Sequence, residues 1–540
     1  MSRAVLVHLH GAHPLLRNRF GGIAAAIALK NRGVENFTIF EKASDVGGTW
    51  RDNVYPGCTS DISIHYYSLS TDLKHDWDRT VAYQPTILTY IQALVKKYNL
   101  ASHLVFNSKV ISADWDSLSQ SYTITIEDTS SGSQDTHSAT IVISAHGPLH
   151  IPRYPDIPGL KDFQGRIMHS AQWDKGFDLR GKRVAVIGNG SSGTQIVSRI
   201  AYTEGVELTQ FIRTKNWMLP AMSRNILPGW QWAFKYIPLL QRFYRYTIFW
   251  ISEFNFLMMF KSTIMRKPLM MVAKNLYLTQ APKEYHRLLV PSFPVGCRRV
   301  VFEDRYLPSL HLPNVSLKDG TEIASIASDG IVTGEKAPFD VIICATGFTT
   351  DTFPFPVRGV DSTIQEFYTK SDGPNAYLGT TVPGFPNYFQ TLSGPNTATG
   401  YTSVLFFIEN QLGYIMQLIK PVLERRALSV DVTPEANDSY NKKLQTMFKD
   451  SVFTFCGSWY RVRGTGRNVM VFPGSAITFW WWCRKVTWSH YKVVGADGAQ
   501  VSSLAKMGSA PRSANMAYAM VPFIVVALGY LLMALQLQTN

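Results

Sequence analysis

An α/β fold with two nucleotide-binding units, a helical insert and a C-terminal transmembrane helix is predicted by three observations. Two stretches read as strand, glycine-bearing turn, helix and second strand, one beginning at residue 4 and one at residue 183. A region of aromatic residues broken by Lys and Arg, about 217–290, follows the second unit. Residues 516–535 form an uncharged run of twenty. At roughly 150 residues per domain, 540 residues exceed what one core organises.

The first unit comprises a strand at 4–9, a helix of small residues at 22–30 and a strand at 37–40 that ends on Glu41. A carboxylate nineteen residues beyond Gly22 suits the ribose of an adenine dinucleotide, which points to FAD. Gly48, Thr49 and Trp50 follow, where Gly47-Gly48 would let the backbone approach the flavin side. The second unit is more regular. Strand 183–187 leads into Gly188-Asn189-Gly190-Ser191-Ser192-Gly193 and a helix to about residue 201. Such a turn lets amide groups and a helix N-terminus meet a pyrophosphate. Strand 208–212 ends on Arg213-Thr214-Lys215, where an NAD site would carry an acid, so a ribose 2′-phosphate and NADPH are expected. Both units are thus Rossmann-like. A third strand at 341–345 and Pro/Gly-rich joints at 147–159 and 382–395 divide the chain into a first FAD-binding part (1–150), an NADP-binding part (151–340), a second FAD-binding part (341–494) and a linker (495–515).

Composition narrows the function classes. With 46% apolar, 17% charged and 13% aromatic residues the chain is a packed globular protein. The 53 Lys and Arg against 39 Asp and Glu leave +14, half of it between residues 457 and 515, where eight basic residues face one acid. That stretch precedes the uncharged run, whose twenty residues suffice for the ~30 Å hydrocarbon core. The expectation is a single-pass membrane protein with its catalytic part cytosolic and no nucleic-acid partner. The charge-interrupted insert reads as amphipathic helices that pack on the protein or lie on a membrane. Cys58, Cys297, Cys344, Cys456 and Cys483 are odd in number and contain no C-x-x-C pair, which argues against a disulfide scaffold and a cysteine metal site.

Residues 163–174, Phe163-Gln-Gly165-Arg-Ile-Met-His169-Ser-Ala-Gln-Trp173-Asp174, fit the F-x-G-x-x-x-H-x-x-x-W-[PD] signature of flavin-dependent Baeyer–Villiger monooxygenases. The chain resembles that family over most of residues 1–490. Tyr55-Pro56-Gly57-Cys58-Thr59-Ser60-Asp61, Arg298-Arg299, Ala345-Thr346-Gly347-Phe348 and Gly394-Pro395-Asn396 look like further family segments. The resemblance implies an NADPH- and FAD-dependent enzyme that oxidises a hydrophobic ketone with dioxygen to an ester or lactone, with secondary metabolism as the expected setting. It assigns Arg299 to the flavin and its peroxide anion, Asp61 to holding Arg299, His169 and Trp173 to coupling domain movement, Arg298 to the NADP 2′-phosphate, and Tyr67 and Asn396 to the cofactor sites.

Two departures stand out. Gly11-Ala12 is separated from Phe20-Gly21-Gly22 by seven residues that include Pro14, Arg17 and Arg19, and His146 stands where a small residue or Thr is usual. The extra residues read either as a wrongly translated intron, the favoured reading, or as divergence that weakens flavin binding. The rival functions are an N- or S-oxidising flavin monooxygenase and a membrane-anchored protein that has lost FAD.

Overall fold

The computed structural model describes residues 5–8, 20–147, 149, 151–221, 223–350, 353–392, 394–449, 451–462 and 466–499. Strand β1 (Val5–His8), helix α1 (Phe20–Lys30), β2 (Phe37–Phe40), β3 (Leu104–Val105) and β4 (Ile141–Ser144) begin the first parallel sheet. The chain then leaves for a second parallel sheet through β5 (Arg166–His169), β6 (Arg183–Ile187), α2 (Ser191–Ile200) and β7 (Glu207–Ile212). Helices α3 (Pro228–Tyr236), α4 (Pro238–Phe256) and α5 (Thr263–Gln280) form the insert. Strands β8 (Val315–Asp319) and β9 (Val341–Cys344) complete the second sheet. The chain returns to the first sheet with β10 (Tyr388–Gln390) and adds helices α6 (Val404–Leu423) and α7 (Ala476–Cys483).

Strand order is β10-β4-β1-β2-β3 in the first sheet and β8-β7-β6-β9-β5 in the second. Every pairing in both is parallel, and each sheet centre carries β-branched runs such as Ile141–Ser144 and Val341–Cys344, buried at all four positions. Helix α1 is buried along nine of its eleven residues. Its small residues are needed there, because it lies between the sheet and the apolar helix α6. A Cβ added at Gly21 would come 3.2 Å from the Cβ of Ala145. An antiparallel layer of Ser108–Asp116, Ser121–Asp128 and Gln134–Ala139 covers the other side, where Tyr122, Ile124 and Val142 share one apolar cluster.

The insert packs on the protein through Phe234, Phe249, Phe256 and Ala273, which join the main core. Its sole acid between residues 228 and 280 is Glu253. This buried carboxylate accepts hydrogen bonds from the Tyr401 hydroxyl at 3.0 Å and the Ala476 amide at 3.0 Å, so it ties α4 to the start of α7. Burial holds its pKa above the ordinary carboxylate value.

Two expectations are corrected. Among the described residues no helix is long and apolar enough to cross a membrane. The expected transmembrane helix at 516–535 lies outside the described residues, and the single-pass membrane localisation drawn from it is withdrawn. A disulfide joins Cys297 to Cys456 across 159 residues of sequence, while Cys58, Cys344 and Cys483 are buried thiols. Spacing gave no sign of it, because pairing depends on Cα atoms brought to 6.0 Å by the fold.

His65 generates a pH prediction. It is 2% exposed between the rings of Phe234 and Tyr244, and burial, with Arg245 and Lys74 adding to it, pushes the imidazole down to about 3. A histidine held neutral in the fold but free to protonate near 6.5 when unfolded favours the native state above 6.5 and loses that contribution as pH falls toward 3. The expected penalty is about 1.4 kcal/mol per pH unit in that window. His65→Leu should therefore flatten the fall in urea midpoint between pH 6.5 and pH 4; an unchanged slope would reject the assignment.

Candidate active site

The glycine turn of the second unit is shaped by contact with β9. Gly188 has φ +113°, and a Cβ there would meet the Ala345 carbonyl oxygen at 2.5 Å. Gly190 is the N-cap of α2, with no side-chain cap, and a Cβ added to it would meet nothing within 4 Å. Ser191, Ser192 and Gly193 form the first helical turn, so its amide groups face open space suited to a phosphate. Beyond β7, Arg213 is exposed with Thr214 beside it. Arg298 has its pKa lowered by burial and then by the charge of Arg213, so the two guanidinium groups face one region. The Arg298 Nε is buried without a hydrogen-bond partner. Two cations that repel each other, one with an unsatisfied donor, fit a phosphate dianion. These residues fit NADP.

The described part of the first unit fits the adenosine and flavin ends of FAD. Glu41 is fully buried at the end of β2, where it accepts a hydrogen bond from the Ala43 amide at 2.8 Å. Gly22 lies buried inside α1. Gly48, at φ 51°, leads into a short helix that holds Thr49 and Trp50. The Trp50 indole donates to the Tyr67 hydroxyl at 3.3 Å. The altered glycine loop at 9–19 lies outside the described residues.

Between these two regions lies the Asp61–Arg299 pair. The Arg299 guanidinium contacts the Asp61 carboxylate at 2.5 Å and donates to the Thr399 carbonyl at 2.9 Å. Burial opposes its charge, but Asp61, with the oxygens of Tyr460 and Tyr67 adding to it, more than offsets this, and its pKa is raised. Burial pushes the Tyr460 hydroxyl up to about 12. Tyr460 thus stays a neutral neighbour of the cation. Sequence reasoning missed it, and no local signal marks it.

His169 and Trp173 sit apart from this pair, at the joints between the two sheets. The Nδ1 of His169 accepts from the Ala171 amide at 3.1 Å, which leaves Nε2 to donate to the Gly347 carbonyl at 3.1 Å. Gly347 precedes Phe348–Thr349, which pairs with Ile151–Pro152, so the imidazole braces both connections. Trp173 is half-buried against the main core. Asn396 is buried at φ 57°, and its carboxamide donates to the Asn468 and Val471 carbonyls of its own chain. His146 bonds Ser144 at 2.9 Å and lies edge-on to Phe353, which accounts for a larger residue there.

Gln195 was also missed. Two residues beyond Gly193 on α2, its oxygen accepts from the Tyr55 hydroxyl at 2.9 Å and its nitrogen donates to the Thr59 carbonyl at 3.3 Å. Its place on the helix that follows a phosphate loop was the available signal. Gln195, Asp61 and Tyr401 line a cavity of 170 Å³ bordered by residues 57–63, α2 and α4. The positive φ of Gly188 predicts that Gly188→Ala lowers stability by about 1–3 kcal/mol through backbone strain, to which the clash with the Ala345 carbonyl adds; a urea midpoint equal to that of the parent chain would overturn this.

The profile of the flavin-binding monooxygenase-like family matches residues 20–369. A Baeyer–Villiger monooxygenase of Pseudomonas aeruginosa is 35% identical over 481 residues, covering 87% of this chain and 88% of that protein. One from Streptomyces coelicolor is 35% identical over 509 residues, covering 92% and 96%. Among solved structures, cyclohexanone monooxygenase from Rhodococcus sp. Phi1 bound to NADP+ shares 26% identity and superposes with a TM-score of 0.79 over 91% of this chain and 99% of that one. With this similarity running through both sheets and the segments that carry the Asp61–Arg299 pair, the chain belongs to the flavin-binding monooxygenase family, in its Baeyer–Villiger branch.

Proposed function

We infer that the protein is an FAD-dependent, NADPH-consuming monooxygenase that inserts one atom of dioxygen beside a ketone carbonyl to give an ester or lactone. The observation that carries this is the Asp61–Arg299 pair set between two dinucleotide-binding units in a chain of the Baeyer–Villiger branch. The chemistry supplied by bound FAD and NADPH is hydride transfer and activation of dioxygen.

The chain's own residues hold, orient and charge the site. Glu41 would take the adenosine ribose of FAD, and Gly48 and Trp50 would border its flavin end. The open N-terminus of α2 would take the NADP pyrophosphate, and Arg213 with Arg298 the 2′-phosphate. Arg299 provides a positive charge that survives burial, directed by Asp61 and the Thr399 carbonyl, beside which negative charge on oxygen is stabilised. A guanidinium does not give up its proton, so it stabilises an anion without quenching it. His169, bonded to the Gly347 carbonyl, would keep the two connections in step as nicotinamide and ketone take turns near Arg299. The apolar lining of the cavity supports a hydrophobic ketone, and a place in secondary metabolism is consistent with such a substrate.

Two measurements test this reading. Anaerobic NADPH should bleach the visible flavin spectrum of the purified protein, and Arg299→Ala should keep bound flavin while ester formation falls by about 10²–10³-fold. Unchanged turnover in that variant would refute the role of Arg299. Arg213→Ala and Arg298→Ala should each raise KM for NADPH by about 10–100-fold, the loss of a charge-assisted phosphate contact, while KM for NADH moves little. Equal changes for both nucleotides would remove them from the 2′-phosphate site.

A further inference from the structure

The cavity beside Asp61 carries charge that oxygen insertion does not use. Most of its ionic groups cancel in pairs: Asp61 with Arg299, and Arg199 with Asp304 at 3.1 Å. Arg224, exposed where the cavity meets the surface, has no carboxylate within ion-pair distance among the described residues. Its position is nevertheless fixed. The Arg224 amide donates to Thr80 Oγ1 at 2.9 Å, and the Thr80 amide donates to the Arg224 carbonyl at 2.9 Å. Arg79, next to Thr80, donates to Ser223 Oγ at 2.8 Å and Asn225 Oδ1 at 2.9 Å, two neutral acceptors that leave its charge uncompensated. Ile62, Ile248, Ile251 and Phe302 line the same cavity.

A cavity lined by Asp61 of the oxygenation pair, by a guanidinium without a carboxylate partner and by apolar side chains fits a molecule of matching polarity. We propose that Arg224, with Arg79 behind it, binds a carboxylate at the far end of the substrate, so that the preferred ketone is an oxo acid with a hydrocarbon body between its two functional groups. A guanidinium fork donates two parallel hydrogen bonds to a carboxylate. Ser223 and Asn225 orient Arg79 without competing for the anion. This inference rests on the Baeyer–Villiger reading of the same site.

The test uses the full-length, flavin-loaded protein with a medium-chain oxo-carboxylic acid and its methyl ester. The parent enzyme should favour the acid, and Arg224→Ala should lower the acid-to-ester ratio of kcat/KM by about 10–100-fold, with partial recovery in Arg224→Lys. A ratio that does not change, or a rise in KM for NADPH that places Arg224 against the nucleotide, would overturn the proposal. Quenching of tryptophan fluorescence by the oxo acid, measured without NADPH, separates the two levels of inference. Binding that weakens in Arg224→Ala while no ketone is oxidised would sustain the carboxylate site and defeat the oxygenation reading; oxidation of acid and ester alike would do the reverse.

Discussion

A guanidinium that must stay charged away from bulk water needs a carboxylate and a carbonyl held at fixed positions, and the rest of this structure can be understood as meeting that need. Removing two charges from water costs several kcal/mol per ion, which close pairing has to offset. Arg299 lies just after the disulfide-bonded Cys297, Asp61 lies in the connection between β2 and β3, and Thr399 belongs to the return of the chain. Arg299 is 238 residues from Asp61 and 100 from Thr399 in sequence, and only the docking of two parallel sheets with the insert brings the three segments together. Glu253, Tyr401 and the Ala476 amide fasten the same region from the side of α4.

The second electrostatic centre has the opposite character. Arg213 and Arg298 lie close enough to disturb each other, and Arg298 keeps an unsatisfied buried donor. A folded protein tolerates such a pair when an anion neutralises it for part of the working cycle. The Asp61–Arg299 pair is satisfied within the chain, whereas Arg213 and Arg298 have no carboxylate within ion-pair distance among the described residues. His169 lies at the connections between the two units, so changes at one centre have a structural route to the other.

Much of this was legible in the sequence. The strand–turn–helix pattern and the glycines after residue 187 located the second unit because a phosphate turn imposes strict local demands on residue type. The positions of Glu41 and Arg213 were legible for a related reason: each directly follows a strand, and open parallel sheets generally meet ligands at the carboxyl ends of their strands. Tyr460, Gln195 and the Cys297–Cys456 bond were not legible in this way. Their partners are distant in sequence, and nothing in their neighbours distinguishes them from packing residues. The apolar run near the C-terminus shows the converse: hydropathy suggested a membrane span, which no helix among the described residues provides.

The sequence by itself determined two parallel βαβ units, the nucleotide preference of the second and the family signature at 163–174, because local sterics and short-range hydrogen bonding settle these within a few residues. Tertiary structure decided the pairing of Asp61 with Arg299, the bracing of Gly347 by His169 and the uncompensated charge of Arg224. These depend on electrostatics between segments whose distances are fixed only when the sheets and α4 pack. Residue type can supply a charge; the fold alone determines what stands within 3 or 4 Å of it.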